Sequence, residues 1–264
     1  MSTPLAAYPR QFSRMTGDAG ARIFGHLEKW GMSEPAILTT LAVGVGILAG
    51  LSVLVFYRSI DVAADIIARV ATVLEIPTSI VAAASLAIGL TVVRLLVHYG
   101  NHDSDGENIP DVMHAVARRG GVLNLRPVVI KTLAAAVTLG SGGSLGAEGP
   151  VAVLGAAVGS RAGRWLRFRN DRVRLLLSCG AAAGLSAAFG APIAGVLFVL
   201  EKLVGSFRAS VLTPIVVASV SAAAVSRVGL GRDQVIRIPT EYHVGGTRDL
   251  LLYAGVGLLG GFVG

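Results

Sequence analysis

The sequence predicts an all-α, multi-spanning membrane protein whose helices are broken inside the bilayer. Three observations predict this. Only 15% of the 264 residues are charged and 53% are hydrophobic, against about 25% charged in a soluble domain. The charges are absent from whole stretches: 36–57, 76–93, 175–200 and 209–226 contain none. Each is near or above the roughly 18 apolar residues that suggest a span. Between them, Gly and Pro interrupt several shorter apolar segments.

The N-terminal 35 residues read as a separate region. Arg10, Arg14, Asp18, Arg22, Glu28 and Lys29 leave no apolar run for a signal peptide. Residues 21–30 read as an amphipathic surface helix with Ile23, Phe24, Leu27 and Trp30 on one face, and residues 1–20 read equally well as a tail. Residues 36–264 form the membrane domain. Residues 36–57 make one full helix. Residues 76–93, extending to about Gly100, make a second, with Pro77 tolerated in its first turn. Residues 101–108 are polar and turn-rich. Residues 109–119 form a helix too short to cross at 1.5 Å per residue. A short apolar piece follows at 127–140, then a glycine-rich break to Gly149, then a piece at 149–160 too short to span alone. Residues 175–200 are long enough, but Gly190-Ala191-Pro192 divides them into two helical pieces. Residues 209–226 follow, then a polar loop, then an apolar stretch at 250–264. The runs Gly155-Ala156-Ala157 and Ala181-Ala182-Ala183-Gly184 permit close approach of helix backbones.

Irregular backbone at membrane depth costs several kcal/mol for each polar group left unsatisfied, roughly speaking, so it survives where it is buried in protein or lines a hydrated cavity. Discontinuous helices are where transporters place ion sites. The breaks at 106–110, 140–150 and 190–192 therefore mark a site. In Gly140-Ser-Gly-Gly-Ser-Leu-Gly-Ala-Glu-Gly-Pro150, Pro150 suits the first turn of a helix starting near Gly149. A helix N-terminus offers unpaired N–H groups and partial positive charge, and Gly146 and Gly149 let a small anion come close. Glu148 sits at the mouth. Ionised, it competes with an anion for the N–H groups; protonated, it lets go. It thus reads as a gate and proton carrier, the alternative being a glutamate that only caps its own helix. An ionisable residue in such a segment is a functional candidate by default. Gly106-Glu107-Asn108-Ile109-Pro110 is a second Gly-to-Pro helix entry aimed at the same ion, although an ionised Glu107 would repel it.

Other chemistries fit less well. A nucleotide P-loop needs a Lys after its glycines. Asp103, Asp105 and Glu107 lack the full calcium-loop pattern, and His98 and His102 lack a third metal ligand. No Ser/His/Asp set or carboxylate pair stands at membrane depth, so the chain reads as no enzyme, with no cofactor. Cys179 alone makes no internal disulfide or CxxC site and reads as a packed thiol. The net charge of +7 reflects loops beside spans rather than nucleic-acid binding. Arg161, Arg164, Arg167, Arg169, Arg172 and Arg174 read as one basic loop, which the positive-inside rule puts in the cytoplasm; re-entrant helices weaken that rule, and the orientation stays open at this level.

These segments resemble the CLC family of chloride channels and proton-coupled chloride exchangers. Gly140–Pro150 is similar to the family's Gly-Ser-Gly…Gly-Arg-Glu-Gly-Pro. The stretch from Ala183 to Glu201 is similar to Ala-Gly…Phe-Asn-Ala-Pro-Leu-Ala-Gly-Ile-Leu-Phe…Glu, and Gly106–Pro110 to Gly-Ser-Gly-Ile-Pro. The resemblance implies a homodimer in which each subunit has its own pore built from two inverted repeats. The chain then supplies the first repeat and the start of the second. It implies chloride or a similar small anion as substrate, protons as a possible second one, Glu148 as the external gate, and N–H groups near Gly149 and Ile109 as chloride ligands. The implied location is a cell membrane, as a multi-pass protein of the bacterial inner membrane type. Four departures qualify it. Ala147 replaces an Arg, Glu107 stands where a Ser coordinates the anion, and Gly190 replaces an Asn. Lys202, beside Glu201, occupies the inner proton-path position of a second Glu, and a desolvated Lys can itself titrate. The family also continues through a second half, so the rival reading is a truncated fragment that only packs or dimerises in the membrane.

Overall fold

The computed structural model describes residues 34–74, 78–100, 108–230 and 247–263. The proposed surface helix at 21–30, Pro77, His102, Asp103, Asp105, Gly106 and Glu107 lie outside them. The described residues form helices only, in two units divided near residue 234.

The first unit opens with α1, Glu34–Leu74, of 41 residues. At 1.5 Å per residue it is about 60 Å long, roughly twice the hydrocarbon thickness of a bilayer. The charge-free run 36–57 is thus only its first half. The helix continues through Arg58, Asp61, Asp65 and Arg69, because charged residues near the end of a long helix reach water without breaking it. Next come α2 (Thr78–Gly100), α3 (Ile109–Ala117) and α4 (Leu125–Gly140). The glycine-rich segment 141–147 is a true break, and α5 follows it at Glu148–Trp165. At 18 residues α5 is longer than the expected 149–160, since the helix runs on through Arg161 and Arg164. The supposed basic loop is a tight turn, 166–169, between α5 and α6 (Asn170–Phe189). The predicted division at Gly190 is present, and α7 (Pro192–Val199) follows it with Pro192 in the first turn. A π-helical turn, Leu200–Val204, and α8 (Ala209–Leu230) complete the unit.

α6 is the hub, buried along almost its whole length, and packs against α5, α8, α1 and α7. Its contact with α5 is made backbone to backbone. A Cβ added at Gly155 would fall on the Gly180 carbonyl oxygen, one at Gly159 on that of Leu176, and one at Gly184 on that of Val151. The pairs Gly155/Gly159 and Gly180/Gly184 stand four residues apart, one helical turn, on facing helices. Gly46 and Gly50 repeat the device where α1 meets Ala218 and Ala222 of α8. In lipid no hydrophobic force drives helices together, so close packing of small residues supplies the cohesion.

Buried hydroxyls tie the remaining pieces. Ser160 accepts from the Leu123 N–H at 3.0 Å and donates to the Gly121 carbonyl at 2.7 Å, fixing the α3–α4 connection against α5. Ser186 donates to the Ser219 carbonyl, and Ser219 to the Pro192 carbonyl, joining α6, α8 and α7. Among the described residues, four helices are long and apolar enough to cross a membrane: α1, α2, α6 and α8. Most of α2 is exposed on the outside of the unit, as suits a lipid-facing helix.

The second unit contains α9, Thr247–Val263, an apolar helix of 17 residues with Leu252, Val256, Leu259 and Phe262 exposed.

Candidate functional site: the broken-helix ends

Glu148 is the first residue of α5, directly after Ala147 at the N-cap position. The first bond that holds this turn is donated by the Val151 N–H to the Ala147 carbonyl, at 3.1 Å. Pro150 has no N–H. Glu148 and Gly149 precede Val151, so helix geometry gives their N–H groups no partner within α5. A Cβ added at Gly149 would meet nothing within 4 Å, so this end opens onto space. A Cβ added at Gly146 would instead strike Oε2 of Glu148. The carboxylate is therefore folded back over Gly146, across the start of its own helix, and it remains exposed.

One neighbour was not singled out from sequence. Tyr57 of α1 lies close enough to Glu148 to feel its charge. Its hydroxyl is buried and has no hydrogen-bond partner among the described residues. Its ring packs edge-on to Phe56 at 5.4 Å between centroids. No local motif could have revealed it, because it comes from a helix distant in sequence.

The α3 end is built differently. Asn108 is the N-cap in extended conformation, and Pro110 stands in the first turn. Asp111, three residues on, accepts from the Asn108 N–H at 2.8 Å. This helix end thus carries its own carboxylate, and one of its donors is already used. The signal was legible as a capping-type spacing, Asn-x-x-Asp, although attention fell on Glu107. α3 packs against α5, α6 and the π-helical turn, and Ile109 and Ala147 rest on the same core.

Glu201 and Lys202 lie on the π-helical turn and pair with each other, Nζ to Oε1 at 2.7 Å. Both side chains are more than half exposed, so Lys202 is not a desolvated amine. The turn closes when the Gly205 N–H donates to the Leu200 carbonyl, the five-residue reach of a π-bulge, a feature frequent at functional sites.

Residues 88–264 match the family model of voltage gated chloride channels. The chain belongs to this family. An H(+)/Cl(-) exchange transporter, ClcA, of Vibrio vulnificus is 33% identical over 241 residues, covering 88% of this chain and 50% of the relative. The fold agrees with a slow cyanobacterial Cl-/H+ antiporter at a TM-score of 0.69 and 24% identity, over 86% of this chain and 54% of that one. It agrees with a CLC-type fluoride/proton antiporter at 0.61 and 26%, over 86% and 55%. The chain spans about half the length of the curated relatives it matches.

Proposed function

We propose that this chain contributes one half of a CLC-type pathway for chloride or a similar small anion across a bacterial inner membrane, in a homodimer. Glu148 is its gate. The observation that carries the reading is the start of α5. The N–H groups of Glu148 and Gly149 have no partner within α5, a Cβ added at Gly149 would meet nothing within 4 Å, and the Glu148 carboxylate lies folded over Gly146. An ionised Glu148 competes with an anion for the positive helix end. A protonated one gives up that interaction and leaves the N–H groups to the anion. Flux should therefore rise as pH falls. Among the anion-binding candidates, Gly146, Gly149 and Pro150 belong to this end. Asn108, Ile109 and Pro110 belong to an end where Asp111 already stands, so the α5 end is the main anion contact. Supporting the transport reading are relatives named for proton-coupled chloride and fluoride exchange; the two anions leave halide selectivity to be measured.

Liposome flux tests the proposal. The protein should carry chloride down its gradient. Glu148→Gln and Glu148→Ala should remove the pH dependence and abolish proton movement coupled to chloride. Unchanged flux and coupling in both variants would overturn the gate. Uphill proton movement driven by a chloride gradient marks an exchanger, and its absence with flux intact marks a channel. No flux from the unmodified chain would favour the fragment that only packs or dimerises.

A further inference from the structure

A groove of about 630 Å³ runs between the first half of α1 and the C-terminal half of α5, the opposite end of that helix from Glu148. The volume lies within the roughly 300–1,000 Å³ typical of ligand pockets. Gly44, Leu48 and Leu51 form one wall, and Val158, Arg161 and Trp165 the other. The surface is almost wholly apolar. Ser52 also lines it, but its hydroxyl is committed to the Leu48 carbonyl of its own helix at 2.8 Å. Gly44 leaves the trough open, since a Cβ added there would meet nothing within 4 Å.

The groove changes character at the end of α5. Trp165 is 63% exposed there, the placement of an aromatic at a membrane–water interface. Arg161, four residues earlier on α5, also lines the groove. Arg164 and Arg167 follow within the next six residues, and among the described residues none of these three makes an ion pair. The nearby acid, Asp171, is instead paired with Arg174 at 3.7 Å. An apolar trough that ends in uncompensated positive charge and an interfacial indole matches one chemistry: an acyl chain joined to an anionic headgroup. An extended polypeptide segment fits poorly, because a backbone laid along walls without free donors or acceptors would leave its own polar groups unsatisfied; a helix would not share that penalty, and its presence is one outcome of the test below.

We propose that this groove is a binding site for an anionic phospholipid. One acyl chain lies along Gly44 and Val158, and the headgroup phosphate pairs with Arg161. The site is independent of the anion pathway and of the role of Glu148.

Native mass spectrometry of the purified chain tests it, with phosphatidylglycerol and phosphatidylcholine added back to delipidated protein. The unmodified chain should retain one phosphatidylglycerol at a lipid concentration about fivefold below that needed for phosphatidylcholine, the factor expected of one basic residue at a headgroup. Arg161→Gln should reduce phosphatidylglycerol to the level of phosphatidylcholine. Gly44→Leu should displace both lipids by filling the trough, and helical content by circular dichroism should be unchanged because the added side chain enters open space. Equal retention of the two lipids by the unmodified chain would overturn the proposal. So would retention that Gly44→Leu leaves intact. Retention of neither lipid, as when another stretch of polypeptide fills the groove, would overturn it too.

Discussion

At Gly190 the backbone turns into the left-handed region, with φ of +62°, and so ends α6 and frees Pro192 to start α7. This conformation costs most L-residues about 1–2 kcal/mol, and Asn visits it more readily than others. That explains how Gly can stand here where the resembled family motif has Asn: both serve one backbone need. Gly190→Ala should lower stability by about 1 kcal/mol, and Gly190→Asn by less than half as much. Denaturant unfolding in detergent micelles, followed by circular dichroism, measures both. Equal losses would show that side-chain crowding, not φ, decides this position. The same scale of reasoning applies to Lys202. Sequence marked it as a displaced proton-path residue, and the structure binds it to Glu201 in an exposed pair. Surface pairs contribute little to stability, about 0–1 kcal/mol, so the pair's consequence is charge balance on the turn.

The α5–α6 hairpin brings two kinds of glycine onto one element, and they should respond oppositely to the same change. At Gly155 an added methyl would fall on the Gly180 carbonyl oxygen, which forces the helices apart. Gly155→Ala should cost about 1–3 kcal/mol, the usual penalty of overpacking. At Gly149 nothing stands within 4 Å, so Gly149→Ala should stay within about 0.5 kcal/mol while altering anion flux. Thermal unfolding and liposome flux, read together, separate the two. A Gly149→Ala variant as unstable as Gly155→Ala would place that helix end in packed protein rather than open space. Much of this architecture was legible in the sequence. The breaks at 141–147 and 190–191 followed from Gly and Pro, and the small-residue runs announced close packing. Element lengths were less legible, for one physical reason. Charge was taken as the end of a span, but Arg58, Asp61, Asp65 and Arg69 continue α1, and Arg161 and Arg164 continue α5. Long side chains at helix ends reach water while the backbone stays helical, so a charge limits the immersed part of a helix and not the helix itself.

On the scale of the whole molecule, the Glu148 end was legible because a local string encodes a local structure: glycines, a carboxylate and a proline at the start of one helix. Tyr57 was not, since it reaches the same place through the packing of α1. Orientation is a further property that no local string contains. The structure replaces the supposed loop by the short turn 166–169, which joins the end of α5 to the start of α6. Arg161, Arg164, Arg167 and Arg169 therefore cluster where α5 and α6 join, with Trp165 among them. Positive charge concentrated near the ends of spans follows the cytoplasmic side, where anionic lipids are also enriched. The natural cysteine helps to test this, because Cys179 is fully buried and should stay silent toward a water-soluble maleimide. Arg167 is exposed at the turn and already has a positive φ of 53°. Replacing it with another L-residue leaves the backbone strain unchanged. Arg167→Cys should be labelled by a membrane-impermeant maleimide in inside-out vesicles and spared in intact cells or right-side-out vesicles. Labelling from the outer side alone would reverse the orientation of the unit, and with it the side of the membrane from which protons reach Glu148.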